Sequence, residues 1–293
     1  MIQYSSTRTR LTSLIDAHDA KWLAKAKKRT ASLIKKQRYD ESSAIWSQVK
    51  PVYIVLQENK CIFCERQLES AQYGTIEFDL EHFRPKSSVQ AWPAESDRTK
   101  YDFPTGGAAP SGYYWLAYEI DNYAASCKVC NSPLKSNYFP IAGRRGAVSD
   151  APAQLLYEKP FLCYPLCDFD DDPESLITFV ATTAVPLAKG GHKRRRAIVT
   201  IDFFQLNQRE QLHKERARLI AILGSSLRAI ADGTGDGTDM SIAKRMNSKA
   251  MPHAACLRAF SKLWDHDRRL ANRYLDACRA YVAGETNSVP QPN

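Results

Sequence analysis

The sequence predicts a mostly helical α+β protein whose middle is stapled by zinc. Three observations lead there. Apolar residues recur near a 3.6-residue period over much of both ends of the chain. Strand patterns are few and short. Two Cys-x-x-Cys pairs, Cys61-Ile-Phe-Cys64 and Cys127-Lys-Val-Cys130, supply four thiolates, the number that one tetrahedral zinc takes.

Residues 10–58 read as helix. Leu11, Leu14 and Ile15, then Trp22, Leu23 and Ala26, then Leu33 and Ile34 repeat on one face, and a second helix carries Ile45, Trp46, Val49, Val52, Tyr53 and Leu56. Pro51 kinks or divides it. Residues 75–81 alternate apolar and polar side chains, as a half-buried strand does. Residues 87–112, with Pro93, Pro104, Gly106, Gly107, Pro110 and Gly112, read as an inserted loop. A short aromatic helix is expected at 113–118, and another helix at 131–138 with Pro133 in its first turn.

Further on, 140–190 is loop with a strand pair near 177–180 and 184–187. Residues 196–204 have strand character. A strong helix spans 205–230, with Leu206, Leu212, Leu219, Ile222, Leu223 and Leu227 as its core side. A glycine-rich turn at 232–237 leads to helices over 240–282 and a frayed tail from 287. These patterns divide the chain into a basic helical region (1–58), a zinc-stapled core (59–145), an extension with a basic cluster and a helix (146–235), and a C-terminal helical region (236–293).

The chain has 293 residues, and 41 Lys and Arg against 32 Asp and Glu give a net charge of +9. That balance favours polyanionic partners, because each Lys or Arg set on a phosphate releases a counterion. Residues 21–38 hold eight basic residues and no acid, and His192-Lys193-Arg194-Arg195-Arg196 forms a second cluster. A solvated face is the plain alternative for each. No run of about 18 apolar residues marks a membrane span. The first residues lack an apolar signal core, so the expected location is cytoplasmic, with cysteines as thiols or zinc ligands.

The two cysteine pairs bracket residues 65–126, a longer insertion than a simple zinc ribbon needs, and Glu81-His82 lies inside it. A redox dithiol needs one pair at a helix start, not two. Cys163 and Cys167 have a partial metal spacing without a neighbouring His or Cys, and Cys256 and Cys278 fall on apolar helical positions as core thiols.

Phosphodiester hydrolysis needs an activated water and a metal to stabilise charge on the phosphate. Glu81 can bind a divalent ion while His82 acts as base. Asn122 is the candidate to orient His82 through its amide, and Asn131 a second, neutral oxygen ligand. Lys135, one turn later, is a phosphate contact. Arg84, Lys86, Lys193, Arg194 and Arg195 are further phosphate candidates.

The order Cys-x-x-Cys, strand, Glu81-His82-Phe83-x-Pro85, aromatic helix, Asp121-Asn122, Cys-x-x-Cys130-Asn131, Lys135 resembles the HNH nucleases, whose ββα-metal fold has a zinc-binding variant with two such cysteine pairs. Glu81-His82, Asn122 and Asn131 match an HNN variant. The segments Cys61–Glu65, Glu81–Lys86, Trp115–Glu119 with Asp121-Asn122-Tyr123, and Cys130-Asn131-Ser132 with Lys135, Asn137, Phe139 and Pro140 are similar to the PtuB-type nucleases of Septu and retron-associated anti-phage systems. So are Pro165 with Asp170-Asp171-Asp172-Pro173, and Leu206-Asn207 with Arg209, Leu212 and Arg216.

The likeness covers roughly residues 45–225. It implies Mg²⁺- or Mn²⁺-dependent cleavage of nucleic acid, DNA favoured over RNA, and an ABC-type ATPase partner of the PtuA type. The alternatives are an RNase effector and a zinc-dependent binding module without catalysis. Cys163 and Cys167 depart from the family pattern, and the basic first helix and the helices beyond 232 lie outside the match.

Overall fold

A computed structural model describes the chain except for residues 75, 94–100, 167, 287 and 290–293. Two compact units emerge. One comprises Gln3–Phe63 and Leu68–Asp172. The other comprises Met1–Ile2, Cys64–Gln67 and Pro173–Asn293.

The first unit begins with three helices where the periodicity suggested two. Helix α1 spans Arg8–His18, with the Thr7 hydroxyl capping Arg10 N at 3.2 Å. Helix α2 (Trp22–Lys36) buries Trp22, Ala26 and Leu33 and stops at Gln37, which is left-handed at φ 54°. The Trp22 indole N–H donates to Ile45 O at 2.9 Å. A 3-10 turn at Trp46–Val49 then feeds α3 (Lys50–Leu56). Pro51 divides the segment by starting a helix: it lies in the first turn of α3, where its missing N–H costs nothing.

Strand β1 (Phe78–His82) pairs antiparallel with β2 (Tyr123–Cys127), with Phe78 opposite Cys127 and His82 opposite Tyr123. Between them, the aromatic segment forms 3-10 turns at Tyr114–Leu116 and Ile120–Asn122. The inserted loop is pinned by a bridge between Val89 and Ala109. Gly112 is required where this loop returns. Its φ is +57°, and a Cβ there would meet Ser88 N at 2.6 Å and Pro85 O at 2.8 Å. After β2 the expected α-helix is a π-helical turn at Cys130–Lys135, with Pro133 inside it.

The second unit is a helical bundle with a hairpin. After a single turn, α4 (Pro173–Leu176), β3 (Ile177–Val180) and β4 (Thr183–Pro186) pair antiparallel, close to where the sequence put them. Residues 196–204 are not a strand. They belong to α5 (Gly191–Phe203), which also carries the basic cluster. The β-branched run Ile198–Ile201 gave the strand signal, but Ala197, Val199, Thr200, Ile201 and Phe203 are buried on a helix, and tertiary packing overrides weak propensity.

Helix α6 spans Glu210–Ala231. Leu212 and Leu223 are buried as expected, Leu219 and Leu227 pack against the core and Ile222 is exposed, while His213, Arg216, Ala217 and Ile220 join the buried side. The glycine-rich turn ends in a capping box on Asp236 and Asp239 that starts α7 (Gly237–Met246). Helices α8 (Ala254–His266) and α9 (Arg268–Ala283) complete a core of Ile220, Leu223, Leu257, Phe260, Trp264 and Leu275. Cys256 and Cys278 sit in this core as packed thiols, and burial pushes the Cys256 thiol up to about 12. The expected tail falls mostly outside the described residues. Among the described residues, no helix is long and apolar enough to cross a membrane.

Candidate active site

The cysteine cage is built from local geometry. The Sγ atoms of Cys61, Cys64, Cys127 and Cys130 are buried and lie within 4.8 Å of one another. Gln57 ties the first pair to β2. Its fully buried amide donates to Lys60 O (3.0 Å) and Ala125 O (2.8 Å) and accepts from Ala125 N (2.8 Å). Ile62 N also donates to Ala125 O, at 3.1 Å. Cys130 N points at Cys127 Sγ, 3.5 Å away, and so favours a thiolate there. Four buried sulfurs with no oxygen or imidazole among them fit one soft, tetrahedral ion such as zinc in a closed structural role. Cys163 does not extend this cage: its thiol donates to Asp171 O at 3.1 Å. Its expected companion Cys167 lies outside the described residues.

At the other end of the strand pair, Asp79 and Glu81 share one face of β1 and both meet the Cys130–Lys135 turn. His82, the last residue of β1, packs against Trp46 and Tyr123. The His82 ring is 5% exposed and stands edge-on to Trp46 and Tyr123, with centroids 4.8 and 5.1 Å away. Its Nε2 is 3.1 Å from Ala117 O. A carbonyl can only accept, so Nε2 carries the proton and Nδ1 keeps a lone pair. Among the described residues, Nδ1 has no hydrogen-bond partner. Burial, reinforced by the charges of Lys86 and Lys135, holds this histidine well below its ordinary value, so it is a neutral imidazole.

Asn122 does not orient that ring directly. Its Oδ1 accepts from Arg84 N (2.8 Å), and its Nδ2 donates to Arg84 O (3.0 Å) and Leu116 O (3.2 Å). The amide therefore clamps the backbone just after His82 to the backbone just before Ala117, and positions the ring through both.

Glu81 is 7% exposed, and its Oε1 lies 3.3 Å from Lys135 Nζ. Burial pushes the carboxyl up to about 7 against the pull of Lys135 and Lys86. Lys135 is fully buried rather than presented to a phosphate, and burial lowers its ammonium pKa. Asn131 donates Nδ2 to Asp79 Oδ2 at 2.9 Å, and Asp79 also takes Lys128 Nζ at 2.5 Å. Among the described residues, Asn131 Oδ1 is buried without a hydrogen-bond partner, and Lys135 Nζ has only its poorly directed contact with Glu81. A carboxylate oxygen and an orphaned amide oxygen are suitable donors for a hard divalent cation.

Arg84 is also removed from the phosphate candidates. It is buried, with Nε 2.8 Å from Glu158 Oε2, and Glu158 further accepts from Tyr113 OH (2.6 Å) and Gly146 N (2.8 Å). This network anchors the loop that follows His82. Lys86 remains partly exposed, its Nζ 4.5 Å from the Trp46 ring centroid and 5.2 Å from that of Tyr39. Lys193, Arg194 and Arg195 are exposed on the first turn of α5, in the other unit.

Sequence reasoning missed Asp79, Trp46 and the Ala117 carbonyl. The alternation Asp79-Leu80-Glu81 was a usable signal for the first, because it places both acids on one strand face. The carbonyl has no side-chain signature.

No family model matches the chain, and no solved structure gives a significant match. The chain is 30% identical over 174 residues to the Septu protein PtuB of Bacillus mycoides (strain KBAB4), a match covering 59% of this chain and 51% of that protein. The chain thus spans about half the length of the curated relative it matches.

Proposed function

We propose that this protein is a metal-dependent endonuclease of the HNH type, an anti-phage defence effector related to PtuB of Septu. The observation that carries the reading is the His82 ring: neutral, walled by Trp46 and Tyr123, its Nε2–H committed to Ala117 O and its Nδ1 lone pair unused. That is the arrangement of a general base awaiting a water.

In this reading β1, β2 and the Cys130–Lys135 turn form the ββα-metal core, and the cysteine cage staples its far end. Glu81 and Asn131 Oδ1 would hold a divalent ion. Such an ion, Mg²⁺ or Mn²⁺, would acidify a water and stabilise charge at the phosphate. His82 Nδ1 takes the proton from the attacking water as its oxygen bonds to phosphorus; the P–O bond to the departing sugar oxygen breaks, and that oxygen takes a proton from solvent. The Ala117 carbonyl, already bonded to Nε2–H, then steadies the imidazolium that forms. Asn122 keeps Ala117 and the His82 backbone in register while this happens.

DNA is the favoured substrate and RNA the second. The working partner is an ABC-type ATPase such as PtuA, as the resemblance implies. The test is incubation of purified chain, alone and with such an ATPase, with plasmid, single-stranded DNA and total RNA in Mg²⁺, Mn²⁺ or EDTA. Metal-dependent cleavage of one of these is expected. If every combination leaves all three intact, the chain is a binding module and the nuclease reading fails.

A further inference from the structure

We propose that Lys135 keeps the Glu81–Asn131 site closed to divalent ions until nucleic acid arrives, so that ion and phosphodiester load together. The inference rests on the nuclease reading of this site and adds its regulation.

Glu81 and Lys135 form a buried pair, Oε1 to Nζ 3.3 Å, that is net neutral whichever partner holds the proton. Asp79 is matched by Lys128 at 2.5 Å. Lys86 is held nearby over Trp46, and Asn131 contributes no charge. Three lysines against two carboxylates leave a positive excess where a doubly charged cation would have to enter. In a poorly solvated setting such an excess repels the ion strongly.

The Lys135 ammonium is also badly used where it sits. Its partner Glu81 Oε1 lies 3.3 Å away in poor hydrogen-bond geometry, so three donors are buried without a well-directed acceptor among the described residues. Asn131 Oδ1 is equally idle on the same side of β1. One exchange repairs both defects. A phosphodiester entering the site brings negative charge and acceptor oxygens. Lys135 passes from Glu81 to a phosphate oxygen, and Glu81 and Asn131 Oδ1 become available to a cation that the phosphate now also attracts. Binding of ion and nucleic acid is then mutually reinforcing, each raising the affinity of the other by the same factor. A free protein that holds its cation weakly cannot cleave bystander nucleic acid until a strand is fully engaged.

The test is direct binding of Mn²⁺ to the zinc-loaded full-length chain, read by electron paramagnetic resonance. It is done in a His82→Ala background, which leaves the proposed ligands intact and prevents cleavage. Titrations run with and without a short oligonucleotide, and Glu81→Ala corrects for Mn²⁺ held by the nucleic acid alone. The oligonucleotide is expected to tighten Mn²⁺ binding by about 5–150-fold, the usual range of such couplings. Adding Lys135→Met should tighten binding to the free protein and shrink the oligonucleotide effect. Equal Mn²⁺ affinity with and without oligonucleotide overturns the proposal, and this comparison needs no change at Lys135. A folded Lys135→Met protein, with full zinc content, whose free-state affinity is unchanged or weaker overturns it too. Cleavage by the unaltered chain is scored separately. Cleavage without coupling sinks only this inference, and coupling without cleavage sinks only the nuclease reading.

Discussion

The cysteine cage and the Glu81–His82 site occupy opposite ends of one short strand pair, and they are built on opposite terms. At the cage end, Phe78 pairs with Cys127, and four like ligands are buried together within 4.8 Å. At the other end, His82 pairs with Tyr123. There the His82 imidazole uses only Nε2, and along the adjoining Cys130–Lys135 turn Asn131 Oδ1 and Lys135 Nζ are buried without a well-directed hydrogen bond among the described residues. Unused polar groups cost stability, on the order of 1–3 kcal/mol each. A fold keeps them where chemistry or binding later repays the loss. The comparison teaches that one end stabilises the core and the other gives up part of that stability.

If so, damage to the two ends differs in kind. The largest effect is expected at the cage. Cys61→Ser should abolish zinc retention and leave the protein insoluble or rapidly proteolysed, since structural zinc sites contribute folding free energy outright. Elemental analysis and limited proteolysis measure this, and a soluble, stable, zinc-free variant removes the staple from the account.

At the other end, Glu81→Ala should leave zinc content intact and reduce cleavage severely, with partial recovery in excess Mn²⁺. Asn131→Ala should lose less, because a neutral oxygen binds a cation more weakly than a carboxylate. The ratio of the two losses across a Mn²⁺ titration sharpens the comparison, and equal, unrescued losses would assign both residues to structure.

Asn122→Ala blurs the two classes. Three hydrogen bonds to backbone disappear inside the protein, so a destabilisation of about 1–3 kcal/mol is expected together with slower cleavage. Thermal melts and rates on the same preparation check it. A rate loss without any melting shift would mean that the amide acts on substrate rather than through Arg84 and Leu116.

The smallest effect is expected in the other unit. Replacing Lys193, Arg194 and Arg195 by Gln should weaken nucleic-acid binding modestly and reduce the slope of log affinity against log salt, by at most about 0.9 for each phosphate that is no longer neutralised. An unchanged slope assigns the first turn of α5 to solvent or to a protein partner.

The cage was legible because Cys-x-x-Cys spacing is a local signal. The β3–β4 pair was legible as well, because its two strands are neighbours in sequence. Residues 196–204 were misread because Ile198–Ile201 are β-branched, and only burial in the second unit decides for helix. The present partners of Arg84 and Lys135, Glu158 and Glu81, were not legible because a sequence shows charge but not its partner. Glu158 is far along the chain from Arg84, and Lys135 is turned inward by a π-helical turn that periodicity does not foretell. The tautomer of His82 depends on a backbone carbonyl, which no residue type announces.

The central claim is that His82 Nδ1 is the base of a phosphodiesterase site. The most direct measurement is the cleavage rate of His82→Ala beside the unaltered chain, on whichever substrate the latter cuts, with zinc content and nucleic-acid affinity determined on both. The account predicts a loss of about 10²–10⁴-fold in rate at every metal concentration, with zinc and affinity unchanged. Cleavage at the unaltered rate by a folded, zinc-replete His82→Ala protein would contradict it.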